Sequence, residues 1–341
     1  MNILRRIFGV EAPPPAEVTA PPAETAETKP LDPLEGPTAP LLHDRVSEES
    51  IKTVEVEPVL ASTNILDGHT RKLPELDEAV TGRNGRRITY GIKTDVGQVR
   101  QNNQDAVLSF LATFDSAERQ PEFGLFVVAD GMGGHHDGEK ASSLAARVVA
   151  RHTSSEIYLP MLKNEESDAD RPTIAEVLRQ AIQKANEEVS VTVPEGGTTV
   201  TAVAIIGDLA YIAHVGDSRA YIITQDSIEQ VTRDHSLVQR LIELDQLTPA
   251  EAADHPQRNV LYRAIGQNEH VDVDAITRRL TANSRLLLCS DGLWNLIPEE
   301  EIRNTVIGSP SPQQACETLV KLANARGGPD NISVILIKIP E

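Results

Sequence analysis

Four aspartates stand where they could do chemistry: Asp130 in Val128-Ala129-Asp130-Gly131-Met132-Gly133-Gly134, Asp217 in Val215-Gly216-Asp217-Ser218-Arg219, Asp291 in Cys289-Ser290-Asp291-Gly292, and Asp330 in Gly328-Pro329-Asp330-Asn331. A single aspartate beside glycine is an ordinary turn former. Four of them, following apolar runs at strand ends or tight turns, imply carboxylates gathered at one edge of a sheet. A set of oxygen ligands, with glycine letting a peptide carbonyl approach, suits Mg²⁺ or Mn²⁺ better than zinc or copper. Two such ions about 3.5–4 Å apart lower the pKa of a shared water and clamp a phosphoryl group for in-line attack.

Those turns need elements to hold them. Phe123 to Ala129 is short, apolar and bounded by glycine-rich sequence, the pattern of a buried strand. Ala141, Leu144, Ala145, Val148 and Val149 recur at helical spacing, as do Ile174, Val177, Leu178, Ala181, Ile182, Ala185 and Val189. Thr198 to Ile206, Leu209 to Val215 and Arg219 to Thr224 predict consecutive strands of one antiparallel meander, the first pair joined at Gly207-Asp208. Further strands are expected from Ile88, over Val271 to Thr277, over Leu286 to Ser290 and over Ile332 to Ile339. Short helical patches fall at Leu237 to Leu244 and Pro249 to Ala253, and helices at Pro298 to Val306 and Pro312 to Ala325. Helices in pairs and strands in runs predict an α+β fold: two antiparallel sheets with helix pairs outside.

The 341 residues divide unevenly. Eleven of the 22 prolines precede residue 86, and no aromatic residue occurs between Phe8 and Tyr90. Such a stretch buries little surface against its chain entropy, so residues 1–85 are expected to be a mostly disordered, proline-rich acidic tail. Residues 86–341 are expected to form one catalytic-sized domain. Within the tail, Met1 to Val10 is basic and apolar but has no long apolar core or small-residue cleavage site, so it is not expected to act as a signal peptide.

Charge and cysteine content exclude several classes. The net charge is −19, of which the tail holds −7, so both parts repel phosphate backbones and nucleic acid is not an expected partner. Two cysteines, Cys289 and Cys316, cannot build a disulfide framework, which fits a reduced, cytoplasmic setting. No run approaches the ~18 apolar residues that cross a bilayer.

From about Ile88 to Ile339 the chain resembles the metal-dependent type 2C serine/threonine protein phosphatases in their compact bacterial form. The resemblance rests on Arg100-Gln101-Asn102-Asn103-Gln104-Asp105, the Asp130 loop, Gly197-Thr198-Thr199, Gly216-Asp217-Ser218-Arg219, His255-Pro256-Gln257-Arg258-Asn259, Arg263-Ala264-Ile265-Gly266, Ser290-Asp291-Gly292-Leu293-Trp294 and Gly328-Pro329-Asp330-Asn331. It implies a four-layer αββα sandwich that hydrolyses phosphoserine and phosphothreonine in proteins with Mn²⁺ or Mg²⁺. Asp130 would bridge two core ions and Gly131 would offer its carbonyl to one. Asp291 and Asp330 would complete the other shell, and Asp217 would help hold a third, weaker ion. Arg100 would grip the substrate phosphate with its guanidinium fork. Catalysis would thus rest on Arg100, Asp130 and Asp291.

Two departures matter. Many eukaryotic members have a glutamate four residues after the arginine; here that residue is Gln104, which makes Asp105 the candidate for a metal-site carboxylate that orders the attacking water. The position of a proposed histidine acid is Met132, as in bacterial relatives. Phosphorylated proteins and a cognate serine/threonine kinase are the implied partners, and a monomer is expected. A non-catalytic phosphoprotein-binding module would usually have lost a metal aspartate, and Asp130, Asp291 and Asp330 are all present. A phosphatase of a small metabolite is separated only by the surfaces around the centre. Asp234-His235-Ser236 has the residue types of a hydrolase triad, but adjacent residues rarely converge, so helix capping by Asp234 or Ser236 is expected. Ser218 is read as a turn hydroxyl, and Trp294 as a packing anchor.

Overall fold

The structure is a computed structural model that describes residues 87–114, 121–133, 137–163 and 171–340. The expected tail, residues 1–85, and the histidines that follow Gly133 lie outside these residues. Among the described residues no helix is long and apolar enough to cross a membrane.

Among the described residues eleven strands form two antiparallel sheets. β2 (Asp105–Ala112), β3 (Phe123–Gly133), β5 (Val200–Ile206), β6 (Leu209–Val215) and β9 (Asp274–Arg279) run in that spatial order, with β4 (Gly196–Thr198) pairing the far end of β3. The other sheet has the order β1 (Thr89–Asp95), β11 (Ile332–Lys338), β10 (Arg285–Cys289), β7 (Arg219–Ile223) and β8 (Ile228–Gln230). The period of two explains the layering. On β3, Leu125, Val127 and Ala129 pack toward helices, while Phe126 and Val128 face the opposite sheet beside Val203, Ile212, Leu288 and Ile335.

Helices α1 (Asp137–Thr153) and α2 (Ile174–Thr192) cover the first sheet. Their apolar stripes, Ala141, Ala145 and Val149 on one and Leu178, Ala181, Ile182 and Val189 on the other, are fully buried. Thr173 and Glu176 close a reciprocal capping box that starts α2. Two short helices, α3 (Leu237–Glu243) and α4 (Pro249–Ala253), occupy the polar segment between β8 and β9, followed by the single turn α5 (Asp291–Trp294). Helices α6 (Glu299–Gly308) and α7 (Pro312–Ala325) cover the second sheet with Ile302, Val306, Cys316, Leu319 and Ala323. The result is the expected α+β sandwich of helices, sheet, sheet and helices.

Three local expectations change. The Arg219 strand leaves the meander: β5 and β6 pair as predicted, but β6 then pairs β9, and β7 joins β10 in the other sheet. The chain crosses between sheets at Gly216, whose φ of +114° is a conformation side-chain-bearing residues avoid. The predicted Thr198 strand is split at Thr199, whose N–H bonds to the Asp130 carbonyl at 2.8 Å. Asp130 itself lies inside β3 and not in a turn, because β4 pairs the strand beyond it through Gly131, Met132 and Gly133.

Candidate metal centre

The inward row of side chains that separates the sheets ends, at one edge, in carboxylates. Asp105 and Asp130 are opposed partners on β2 and β3. Asp291 begins α5 directly after β10, Asp330 lies two residues before β11, and Asp217 occupies the crossing turn after β6. Residues from both sheets and three separate turns therefore meet at one place. Gly131 and Gly292 permit the approach: a Cβ on Gly131 would fall 2.2 Å from the Gly138 carbonyl oxygen, and one on Gly292 would fall 2.0 Å from that of Asn331.

The electrostatics of this edge are those of gathered like charges. Burial is the first cause that raises the Asp130 and Asp291 carboxyls well above the ordinary range, followed by neighbouring carboxylates: Asp105, Asp291, Asp217 and Asp330 all act on Asp130. Burial likewise pushes Asp105 to about 6 and Asp217 to about 7. Asp130 is close enough to Asp105 and to Asp291 to share a proton with either. The buried Oδ1 atoms of Asp105 and Asp291 have no hydrogen-bond partner. Unpartnered buried oxygens on crowded carboxylates are what a hard cation would neutralise, so the donor set fits Mg²⁺ or Mn²⁺. Among the described residues no three His, Cys, Asp or Glu side chains already close into a metal cage. Arg100 donates from Nη2 to Asp330 Oδ2 at 2.8 Å, so a guanidinium holds one member of the set.

All the sequence-predicted residues, Arg100, Asp105, Asp130, Gly131, Asp217, Asp291 and Asp330, belong to this edge. The residues that position them were less visible. Asn331 is the seam between two strands of the site. Its Oδ1 accepts from the Gln104 N–H at 2.8 Å, and its Nδ2 donates to the Val96 and Asn102 carbonyls at 2.9 and 3.0 Å. The loop bearing Arg100 is thereby tied to the residue after Asp330. Ser290 donates to Asp105 Oδ2 at 2.8 Å and accepts from the Ser333 N–H at 2.9 Å. Thr199 Oγ1 accepts from the Asp130 N–H at 2.9 Å, and Thr198 Oγ1 donates to the Asp130 carbonyl at 2.9 Å.

The Asp217 turn is held from two sides. Trp294, packed against the second-sheet core, donates its indole N–H to the Asp217 carbonyl at 3.0 Å. His235 Nδ1 accepts from the Gly216 N–H at 3.1 Å while the His235 N–H donates to the Gly216 carbonyl at 2.7 Å. An accepting Nδ1 leaves the proton on Nε2, 3.3 Å from Asp274 Oδ2. Ser236 caps α3 as expected, through the Gln239 N–H. Asp234 instead forms a forked pair with Arg219, whose guanidinium lies 3.5 Å from the centroid of the Trp294 ring. Ser218 is a turn hydroxyl, 2.8 Å from Thr199 Oγ1. His235 carried only a misleading signal in the sequence, its adjacency to Asp234 and Ser236; its partner Gly216 is 19 residues away.

Comparison with known proteins agrees with this geometry. The protein phosphatase 2C family profile matches residues 97–325. The serine/threonine phosphatase stp of Listeria innocua is 34% identical over 246 residues, covering 72% of this chain and 94% of that protein. Protein phosphatase PhpP of Streptococcus pneumoniae is 39% identical over 255 residues, covering 74% and 98%. The catalytic domain of the serine/threonine protein phosphatase PstP, solved in complex with two manganese ions, superposes with a TM-score of 0.60 at 30% identity, covering 74% of this chain and 99% of that one. With the family profile, two relatives that match nearly end to end and the same two-sheet architecture in agreement, the chain belongs to the bacterial protein phosphatase 2C family of metal-dependent serine/threonine phosphatases.

Proposed function

We propose that the carboxylate edge is where this phosphatase removes phosphate from phosphoserine and phosphothreonine of protein substrates, with two Mn²⁺ or Mg²⁺ ions at its core. The observation that carries this is the coincidence, at one sheet edge, of buried carboxylates with unpartnered oxygens and a half-exposed arginine. On this reading Asp130 would hold both core ions and the Gly131 carbonyl would hold one. Asp291 and Asp330 would complete the shell of the other ion, and Asp217 would help hold a third, weaker one. Bound there, such ions would supply positive charge that neutralises the phosphoryl group and lowers the pKa of a water, so that hydroxide is available to attack phosphorus.

The chain's own groups do the rest. Asp105, held by the Ser290 hydroxyl, aims one free oxygen into the site and can order the attacking water. Arg100 binds the phosphate through its fork, which requires it to leave Asp330. The contact it makes with Asp330 keeps it within reach of both places. As the bond from phosphorus to the serine or threonine oxygen breaks, that oxygen must gain a proton. Met132 has none to give. On the same reading residues 86–341 are the catalytic domain, residues 1–85 are a tail ahead of it, and the substrates are products of a serine/threonine kinase.

The test compares phosphoserine, phosphothreonine and phosphotyrosine peptides with the wild type and Asp130→Asn in parallel. Turnover of the first two, dependent on added Mn²⁺ and abolished by EDTA and by the substitution, is expected. Full activity of Asp130→Asn would overturn the assignment of the centre.

A further inference from the structure

At the far end of the second sheet, a pair of cations stands without counter-ions among the described residues. Arg285 of β10 and Lys338 of β11 are directly opposed partners across the antiparallel ladder. The period of two puts both on the helix-covered face, in line with Leu287 and Cys289 on one strand and Leu336 and Val334 on the other. Like charges directly opposite each other destabilise a strand pair. Neither side chain has an ion-pair partner among the described residues. Arg285 has only a long contact, 3.4 Å, from its Nη1 to the Asn283 carbonyl, and burial alone lowers its pKa, with no carboxylate opposing the shift. In a chain of net charge −19, two adjacent unpaired cations are unexpected.

The space around them is a cavity of about 350 Å³ under the link between α6 and α7. Of the lining side chains, the Ser309 hydroxyl donates to the Thr305 carbonyl and the Gln313 amide bonds both the N–H and the carbonyl of Ile92, so Ser311 is the hydroxyl that joins Arg285 and Lys338. The Ser311 oxygen accepts from the Gln314 N–H to cap α7, a 14-residue helix, which leaves the hydroxyl proton available to a further acceptor. The positive end of the α7 dipole therefore points the same way as the two cations. A guanidinium fork, an ammonium, a hydroxyl donor and a helix N-terminus together match a tetrahedral oxyanion of more than one charge. The cavity lies about 20 Å from the carboxylate edge, since Lys338 closes β11, six residues beyond Ile332, at about 3.3 Å per residue.

We infer that this cavity is a second phosphate-binding site, separate from the metal centre, that takes a phosphate group either free or carried on a peptide side chain. Occupied, it neutralises the Arg285 and Lys338 pair; empty, it leaves them repelling each other.

The experiment uses the full chain loaded with Mn²⁺, as wild type, Arg285→Gln, Lys338→Gln and the double variant. Calorimetric titration with inorganic phosphate should show two classes of site in the wild type and one in the double variant, each single change weakening the second class by about tenfold. A peptide bearing a non-hydrolysable phosphonate analogue of phosphoserine forms a parallel arm: if it alone fills the second class the site recognises protein phosphate, and if inorganic phosphate alone does so it recognises the product. Turnover of a short phosphothreonine peptide at saturation should be unchanged, which keeps a failure here separate from a failure of the metal centre. Melting temperature supplies the second measurement. In low-salt chloride Arg285→Gln should melt above the wild type, because the repulsion is gone, and in phosphate it should melt below. Identical isotherms for wild type and double variant, or a second class filled equally by chloride at the same ionic strength, would show an adventitious ion only and sink the inference. So would a lower melting temperature of Arg285→Gln in both buffers, which would make Arg285 a packing residue.

Discussion

At the scale of single residues, the centre opposes its own folding until it is neutralised. Asp130 is buried among Asp105, Asp291, Asp217 and Asp330, so its charge costs stability whenever no cation is present. Asp130→Asn should therefore raise the melting temperature of the metal-free protein by ~2–4 °C for each kcal/mol of repulsion relieved. The same variant should lose phosphopeptide turnover by more than about 100-fold, because even partners one step removed from a metal cost up to that much. Calorimetry in EDTA and a peptide assay in Mn²⁺ read the two effects, and a variant that melts lower than wild type without metal would refute the repulsion. Arg100 behaves differently because it shares Asp330 with the centre. Arg100→Gln should raise KM for phosphopeptides about tenfold or more while leaving Mn²⁺ affinity equal or higher, since the guanidinium no longer competes for the carboxylate. Weaker Mn²⁺ binding in that variant would mean that Arg100 builds the site and does not gate it.

At the scale of elements, the site depends on seams between segments that no single strand could hold. Asn331 satisfies three backbone groups of the 96–104 loop. Asn331→Ala strands them in a half-buried place, so a loss of about 1–3 kcal/mol is expected by denaturant unfolding, together with a fall in activity as the Arg100 loop loosens. An undiminished kcat/KM would show that the loop needs no such seam. His235 is the corresponding seam for the Asp217 turn, and it also anchors the polar segment around α3 and α4, since its carbonyl accepts from the Tyr262 N–H. Asparagine can present an oxygen where Nδ1 sits, whereas alanine cannot. His235→Ala should speed hydrogen exchange at the Gly216 amide and weaken the least tightly bound Mn²⁺, and His235→Asn should restore much of both. Equal effects of the two substitutions would reduce His235 to a space filler.

At the scale of the whole molecule, the raised carboxyls link stability, pH and metal. Burial raises the Asp105 and Asp217 carboxyls to about 6 and about 7 in the folded protein, against an ordinary value of 3.8. A raised folded pKa means that the native state holds protons the unfolded chain has released. The associated stability is full below about pH 4 and is lost as pH rises through 6 to 7. The metal-free protein should thus become easier to melt between pH 5 and pH 8, and added Mn²⁺ should stabilise it more at pH 7.5 than at pH 5.5, because the ion no longer competes with protons. Thermal scans across that range with and without EDTA measure both slopes, and a metal-induced shift independent of pH would contradict the linkage.

The chain's own pattern was enough for the helix pairs, the apolar strands and the aspartates themselves, because periodicity and glycine-bearing turns are local properties. Leu125, Ala145 and Leu319 mark their elements from neighbours a few positions away, and Asp130-Gly131 marks a close approach wherever it folds. The crossing of β7 into the second sheet was not legible: nothing in Arg219 to Ile223 distinguishes a strand that continues a meander from one that leaves it. Its destination is decided by the backbone at Gly216 and by pairing with β10, which begins 62 residues after β7 ends. The grip of Asn331 on Gln104, of Ser290 on Asp105 and of His235 on Gly216 was equally hidden, since each joins residues 19 to 227 positions apart. Residue type and spacing therefore determined which groups could bind a cation and a phosphate, whereas only the packing of one sheet on the other decided that five carboxylates and one arginine share an edge. The reason is physical: a side chain's chemistry is local, but its burial, and the repulsion among these carboxylates, arises between segments brought together by tertiary structure.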